Sequence, residues 1–345
     1  MRRIALLSFY CFLFINLVFS VQGLAQKGML QPIAIAFYNL ENLYDTINDP
    51  NVDDEEFLPQ SPLKWTNTRY RHKLVNQARV IASIGNEETG SGPAIIGLAE
   101  VENRQVLEDL IHTPPLDKSG YAIIHFDSPD QRGIDVALLY NPRLFKPLST
   151  TSNRLKVSFD SAFRTRDQLV VTGKLAGKTL SVIVNHWPSR RSKTEYRAAA
   201  ARLTKHLCDS LMQHFEKASI VVMGDLNDDP ADSSVSKVLG ARASVDELGS
   251  RDLYNPMWQL LTTGTGSLQY RGVWNLFDQI IVSEAMVNPV GPSWKFLKAG
   301  VFKADYMFEQ QGKYAGCPLR TFAGKNYLGG YSDHLPAYII LSKQK

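Results

Sequence analysis

The sequence predicts one α/β domain built on mixed β-sheets, and three observations point there. Short apolar, β-branched runs alternate with amphipathic helical patterns along nearly the whole chain. No linker rich in Pro, Gly or Ser interrupts them, and there is no internal repeat or low-complexity block. With 345 residues, 44% of them hydrophobic and 21% charged, the chain can fill a large core. That composition excludes a disordered tail, a collagen-like fibre and a polytopic membrane protein. A net charge of +4 is too small to announce a nucleic-acid binder.

Residues 1–25 read as a secretory signal peptide. Arg2 and Arg3 precede an apolar run from Ile4 to Val21, and Gly23-Leu24-Ala25 offers small residues for cleavage. Cleavage is expected over retention as a membrane anchor, leaving residues 26–345 as a single secreted or periplasmic domain. Cys11 departs with the leader. Cys208 and Cys317 remain, either as a disulfide or as two free thiols. Strands are expected at 33–38, 94–98, 121–126, 134–140, 169–175, 180–184, 220–223, 278–282 and 337–341. Helices are expected at 67–84, 104–111 and 194–215. In the last, Ala200, Leu203, Leu207, Leu211 and Phe215 recur every three or four residues, as one buried stripe would. Residues 45–63, 228–252 and 301–330 read as long surface connections.

Several of these strands end alike. Ile-Ala-Phe-Tyr runs into Asn39, Ile-Ile-Gly-Leu-Ala into Glu100, Val-Ile-Val into Asn185 and His186, and Ile-Val-Val-Met-Gly into Asp225, Leu226 and Asn227. Asp278 and Ser332-Asp333-His334 instead open apolar runs, so antiparallel strands would carry them to the same rim. Taken singly, Asp225 and Asn227 are ordinary turn formers, and Glu100 suits a helix start. Gathered at one rim, such groups form the kind of site that α/β enzymes place at sheet ends.

The motifs Asn39-Leu40-Glu41-Asn42, Glu100 within Gly-Leu-Ala-Glu-Val-Glu, Gly224-Asp225-Leu226-Asn227, Asp278 within Phe-Asp-Gln-Ile, and Ser332-Asp333-His334 stand in order along the chain. They resemble the motifs of the endonuclease/exonuclease/phosphatase superfamily, over essentially the whole mature chain. The resemblance implies a four-layer α/β sandwich, two mixed β-sheets packed face to face with helices on the outside. It also implies a Mg²⁺-dependent site at one rim, with Mn²⁺ or Ca²⁺ as alternatives.

Under that resemblance Glu100 and Asp333 are the expected metal ligands, because Mg²⁺ prefers hard oxygen donors. Asn39 would hold a ligand water or orient Glu100. Asp225 would align and deprotonate the attacking water, with Asn227 fixing its position. His334, held by Asp278, would stabilise charge on the phosphoryl oxygens. Asp225 and His334 are both candidates for removing the proton. His186 resembles the leaving-group histidine of the deoxyribonuclease I branch. Residues 272–278 lack the Arg-Leu-Asp-Tyr pattern of exonuclease III-type enzymes, which argues against abasic-site repair.

Asn185, Arg190 and Arg191 adjoin the site and are candidates for binding substrate phosphate. Lys64, Arg69, Arg71, Lys73 and Arg79 are expected to form a solvated face. Glu102, Arg132 and Asp135 lie near the same strands without an evident role. The expected activity is that of a secreted nuclease hydrolysing phosphodiester bonds in DNA or RNA. A phosphoesterase acting on a lipid headgroup or small phosphorylated molecule is the alternative, and a non-catalytic binding protein comes third. The aromatic-rich connection 301–331 suits either base stacking or pocket lining. No stable protein partner is implied, and a monomer is expected.

Overall fold

Strands with unbroken apolar runs must be covered on both faces, which requires layers above and below the sheet. The computed structural model has that arrangement. It describes residues 32–215 and 217–343, and the leader expected over residues 1–25 lies outside them. A six-stranded sheet contains β1 (Ile33–Leu43), β2 (Ile95–Val101), β3 (Ala122–His125), β4 (Asp135–Tyr140), β14 (Trp294–Val301) and β17 (Ala337–Lys343). Their order is β14-β17-β1-β2-β4-β3. A seven-stranded sheet contains β5 (Phe145–Asn153), β6 (Gln168–Leu175), β7 (Lys178–His186), β8 (Ile220–Asp225), β9 (Ala241–Arg242), β10 (Leu253–Tyr254) and β13 (Asp278–Ser283). Their order is β5-β6-β7-β8-β13-β10-β9. Short hairpins pair β11 (Leu268–Tyr270) with β12 (Val273–Asn275), and β15 (Phe322–Ala323) with β16 (Asn326–Tyr327).

Three apolar clusters separate four layers. Ile35, Phe37 and Leu138 of the first sheet meet Val182, Met223 and Ile280 of the second between the sheets. Ala36, Tyr38 and Leu98, on the other face of the first sheet, pack against α1 (Asn67–Ser83) and α2 (Arg104–Ile111) through Leu74, Ile81 and Leu107. Ile183 and Val222, on the outer face of the second sheet, pack against α3 (Thr194–His214). The protein is therefore a four-layer α/β sandwich.

The longer apolar strands and three helices stand where the sequence places them, but two long strands carried no signal. β5 and β14 are edge strands with mostly exposed or half-buried residues, so neither shows an apolar run. The stripe expected on α3 is rotated. Ala200 of that stripe is buried with Arg197, Ala201, Thr204 and Cys208 against the sheet, while Leu203, Leu207 and Leu211 are only partly buried and Phe215 is exposed. Small residues at the contact let the helix approach closely, and the Thr204 hydroxyl is satisfied by Gln168 and Asn185. Cys208 and Cys317 are free thiols, so of the two alternatives the disulfide does not form.

Two glycines set how closely these layers approach. A Cβ on Gly224 would lie 2.3 Å from the Asn185 carbonyl oxygen, so only glycine lets β8 run beside β7 just before Asp225. A Cβ on Gly97 would lie 2.5 Å from Met223 Sδ and 3.0 Å from Val184 Cγ1, across the space between the sheets. Gly97→Val should therefore destabilise the fold by about 1–3 kcal/mol, the usual cost of overpacking a core. Urea denaturation measures this, and an unchanged midpoint would mean that the sheets have room to part.

Candidate active site

Strand register builds the floor of the site. His186 is paired with Asp225 across β7 and β8, and Asp225 with Asp278 across β8 and β13, so three titratable side chains share one row. The first sheet meets this row from above. Its register slips between Asn39 and Leu43, and again between Ala99 and Val101. There Glu41, Asn42 and Glu100 adopt left-handed backbone angles (φ 49°, 57° and 60°), as Asn227 does at the end of β8 (φ 52°). Non-glycine residues held in this region store strain, and strain of this kind collects at functional sites.

The side chains form a bonded array across both sheets. Asp278 Oδ2 lies 2.7 Å from His334 Nδ1 and accepts a bond from Ser267 Oγ at 2.6 Å. Asn39 Nδ2 donates to Asp225 Oδ2 at 3.1 Å, and Asn227 N donates to Asp225 Oδ1 at 2.9 Å. Asn227 Nδ2 is itself anchored on the Trp187 carbonyl. His186 Nε2 lies 3.5 Å from Asp225 Oδ2 and 3.9 Å from Glu100 Oε1. Glu100 Oε2 accepts the Asn42 amide at 2.9 Å and lies 3.5 Å from Arg132. Asp333 is paired with Arg320, and Ser332 Oγ donates to the Asn39 carbonyl at 2.7 Å.

Burial and charge drive the two histidines apart. Burial alone would depress His334, but the carboxylates of Asp278 and Asp225 outweigh it and hold the imidazole protonated well above the usual histidine range. Burial, followed by the charges of Arg166, Arg132 and His334, holds His186 well below that range, so it is neutral near pH 7. Burial pushes Asp225 up to about 7 against the opposing charge of His334. Glu41 is likewise pushed up to about 7 by burial and by Asp333, against Lys73.

Beside this array opens a cleft of about 640 Å³, whose walls include Glu41, Glu100, Arg132, Arg320, Asp333 and His334. Phe57, Phe322 and Lys325 extend the walls outward. The cleft thus receives His334 and both expected metal ligands. Asn39 does not reach Glu100, because its side chain is spent on Asp225 and the Glu41 amide.

The candidate phosphate binders sit elsewhere. Asn185 is fully buried with both ends satisfied, its oxygen by Trp187 and Thr204 and its nitrogen by the Met223 carbonyl. It pins α3 to the sheet. Arg190 is paired with Asp228, Asp229 and Asp232 and lies over the Phe277 ring, so it ties two loops together. Arg191 is exposed and does not line the cleft. Lys73 departs from the solvated face expected of its helix. It is buried against Glu41 and Thr321, bonding the Thr321 hydroxyl at 2.5 Å. Arg132, Arg320, Glu41 and Ser267 are at the site although sequence reasoning assigned them no role. Glu41 lies inside a recognised motif, whereas Arg320 and Ser267 come from loops with no periodicity to read. Of the aromatic connection, Phe322 lines the cleft, and Phe302, Tyr306, Phe308, Tyr327 and Tyr331 pack against the helical side of the first sheet.

The chain belongs to the endonuclease/exonuclease/phosphatase family, whose model matches residues 34–343. This is a family of divalent-metal-dependent phosphoester hydrolases. No curated protein sequence matches the chain. Among solved structures, D. rerio TDP2 complexed with a single-strand DNA product is similar at 17% identity and a TM-score of 0.54, over 90% of this chain and 98% of that one. A mannosyl-6-phosphatase from Bacteroides thetaiotaomicron is similar at 15% identity and 0.55, over 90% and 99%. The human nocturnin catalytic domain with bound sulfate is similar at 17% identity and 0.53, over 92% and 96%. At these identities the likeness is one of fold.

Because Asp225 has a folded value above its ordinary 3.8, its burial favours folding only while it is protonated. As pH rises from 3.8 towards about 7 the folded state loses that advantage. In EDTA, Asp225→Asn should therefore gain thermal stability relative to wild type across this window. A gap in Tm that does not change with pH would show that Asp225 is ionised throughout.

Proposed function

We propose that the protein is a secreted, Mg²⁺-dependent phosphodiesterase that cleaves DNA or RNA by in-line attack of water. One observation carries the reading. A buried Asp278–His334–Asp225 array reaches, through His334, the same cleft as two carboxylates, Glu100 and Asp333, each of which keeps one oxygen without a hydrogen bond among the described residues. A non-catalytic binder would have no use for so costly a set of buried charges.

The donor set fits a hard divalent cation. Glu100 Oε1 and Asp333 Oδ1 are carboxylate oxygens at an open cleft, and Mg²⁺ needs only one or two of these beside water and substrate phosphate. Mn²⁺ or Ca²⁺ would find the same oxygen chemistry. Asp225, Asp278 and His334 also lie close enough together to hold an ion. Both oxygens of Asp225 and Asp278 Oδ2 are already committed to Asn39, Asn227, Ser267 and His334, whereas Asp278 Oδ1 is buried without a hydrogen-bond partner among the described residues. Once bound, the cation supplies Lewis-acid polarisation of the phosphoryl oxygens.

The chain's own residues supply the rest. Asp225, fixed by Asn39 and Asn227, orients the attacking water and accepts its proton. The His334 imidazolium, backed by Asp278, offers charge where the phosphoryl oxygens become more negative. His186, neutral and beside Asp225 and Glu100, is assigned to the departing oxygen, whose developing charge its N–H can stabilise with a hydrogen bond while keeping its proton. Arg132 and Arg320 bring positive charge to the cleft walls, which Arg190 does not line. The 640 Å³ cleft with aromatic walls favours, as a second reading, a compact phosphoester that enters it whole. Secretion rests on the leader. An intact mass beginning near residue 26, measured on protein from the native host, is the expected result, and a retained Met1 would refute it.

Glu100→Gln keeps the side-chain shape but removes an anionic ligand. It should weaken Mg²⁺ binding by calorimetry and lower hydrolysis at least about 10²-fold, a loss that excess Mg²⁺ restores only in part. Wild-type affinity in this variant would remove Glu100 from the ligand set. The histidines separate by leaving group. His186→Ala should slow a dinucleotide by about 10²–10³-fold yet spare bis(p-nitrophenyl) phosphate, whose leaving oxygen is stable without a hydrogen-bond donor. His334→Ala should slow both. Equal losses on both substrates for a folded His186→Ala would make His186 a positioning residue.

A further inference from the structure

We infer that the loop between β5 and β6 carries a binding track for single-stranded polynucleotide, outside the cleft and leading away from it. The inference rests on the nuclease reading above. Residues 154–158 border two grooves, one on each side. The groove towards α3, about 340 Å³, is lined by Lys156, Arg202 and His206. The groove towards the rest of the loop, about 410 Å³, is lined by Arg164 and Pro129. Lys156, Arg164, Arg202 and His206 are all exposed, and none forms an ion pair among the described residues. Arg154, shared by both grooves, is partly neutralised by Asp167 at 3.5 Å. The carboxylate at the grooves, Asp160, accepts the Tyr196 hydroxyl at 2.7 Å.

An aromatic ring stands among these cations. Phe159 is 55% exposed, and its ring is braced edge-on against Tyr196 at a centroid distance of 5.1 Å. Cationic grooves beside an exposed, rigid aromatic ring are what an unpaired strand needs, with phosphates in the grooves and a base on the ring. A duplex would offer no unstacked base to that ring. A membrane would need a broader apolar surface than one phenyl group.

The track begins at the site. Arg166, two residues beyond Arg164, donates to the carbonyls of His186 and Trp187 and pairs with Asp130 at 3.0 Å. Asp130 follows Pro129 of the second groove and precedes Arg132 of the cleft by two residues. The loop is thus tied to the backbone of the site histidine, and the inference places the strand's continuation from Asp225 and His334 along it.

The test is fluorescence anisotropy with labelled single-stranded DNA and RNA oligonucleotides about 20 nucleotides long, in EDTA to prevent turnover. Wild type should bind, with affinity falling steeply as salt rises. Combining Lys156→Ala, Arg164→Ala and Arg202→Ala should weaken binding at least about tenfold at low salt and flatten the log–log salt slope by about 2, the value for three lost phosphate contacts on a single strand. Phe159→Ala should weaken binding with the slope unchanged. Hydrolysis of bis(p-nitrophenyl) phosphate with Mg²⁺, on the same preparations, reports folding and the phosphodiesterase reading separately. Active enzyme whose oligonucleotide binding is untouched by the triple substitution would overturn the track and leave that reading standing. Oligonucleotide binding that depends on the track, in a protein that hydrolyses no ester, would do the reverse. Triple-sensitive binding to anionic phosphatidylglycerol vesicles, without oligonucleotide binding, would assign the patch to a membrane and overturn the inference.

Discussion

The contact on which the site depends is the buried pairing of Asp278 with His334. Asp278 belongs to the seven-stranded sheet, and His334 immediately precedes a central strand of the six-stranded one. Their 2.7 Å approach, with Asn39 reaching Asp225 the same way, therefore ties the two sheets together at the rim where chemistry is expected. Taking these charges from water is costly, and the cost is offset only when partners are held in good geometry. Ser267 supplies part of that geometry and Asn227 another part. The close approaches at Gly97 and Gly224 supply the rest, since a wider separation of layers or strands would lengthen each of these bonds.

Much of this was legible in the sequence because it follows from strand alternation. A run that is apolar on both faces and then turns polar marks both a buried strand and its exit at a rim, so Asn39, Glu100, His186 and Asp225 were readable together. Asp278 and His334 needed one more step, the antiparallel pairing that brings strand starts beside strand ends, and the registers of β13 with β8 and of β17 with β1 supply it. Edge strands escape this logic. β5 and β14 face solvent along much of their length, so their composition resembles that of a connection.

Cations were the least legible part. Arg190 and Arg191 follow a site histidine directly, yet proximity in sequence does not say which way a guanidinium turns. Three aspartates in the loop after β8 hold Arg190 there. Lys73 shows the opposite failure. It lies on a helix rich in basic residues, but its position faces the sheet, and Glu41 with Thr321 makes its burial tolerable. Arg132 and Arg320, which do reach the cleft, come from loops where no periodicity records their direction.

The same limit applies to protonation, where identical residue types in one cleft reach opposite states. His186 and His334 both lie near Asp225, at 3.5 and 3.9 Å, and both are buried. They differ in their remaining neighbours. His334 has Asp278 on its second nitrogen, whereas His186 Nδ1 has no hydrogen-bond partner among the described residues and Arg166 and Arg132 lie nearby. One imidazole is thereby kept as a cation and the other as a neutral donor. Titratable groups whose surroundings drive them apart are the usual basis for dividing acid and base roles. Here the division follows from which segment of the seven-stranded sheet supplies the second neighbour. Asp278 comes from the strand beside Asp225, and Arg166 from the loop that leads into β6. A single fold can thus keep one histidine as a charge-stabilising cation and the other as a neutral hydrogen-bond donor without any difference between the side chains themselves.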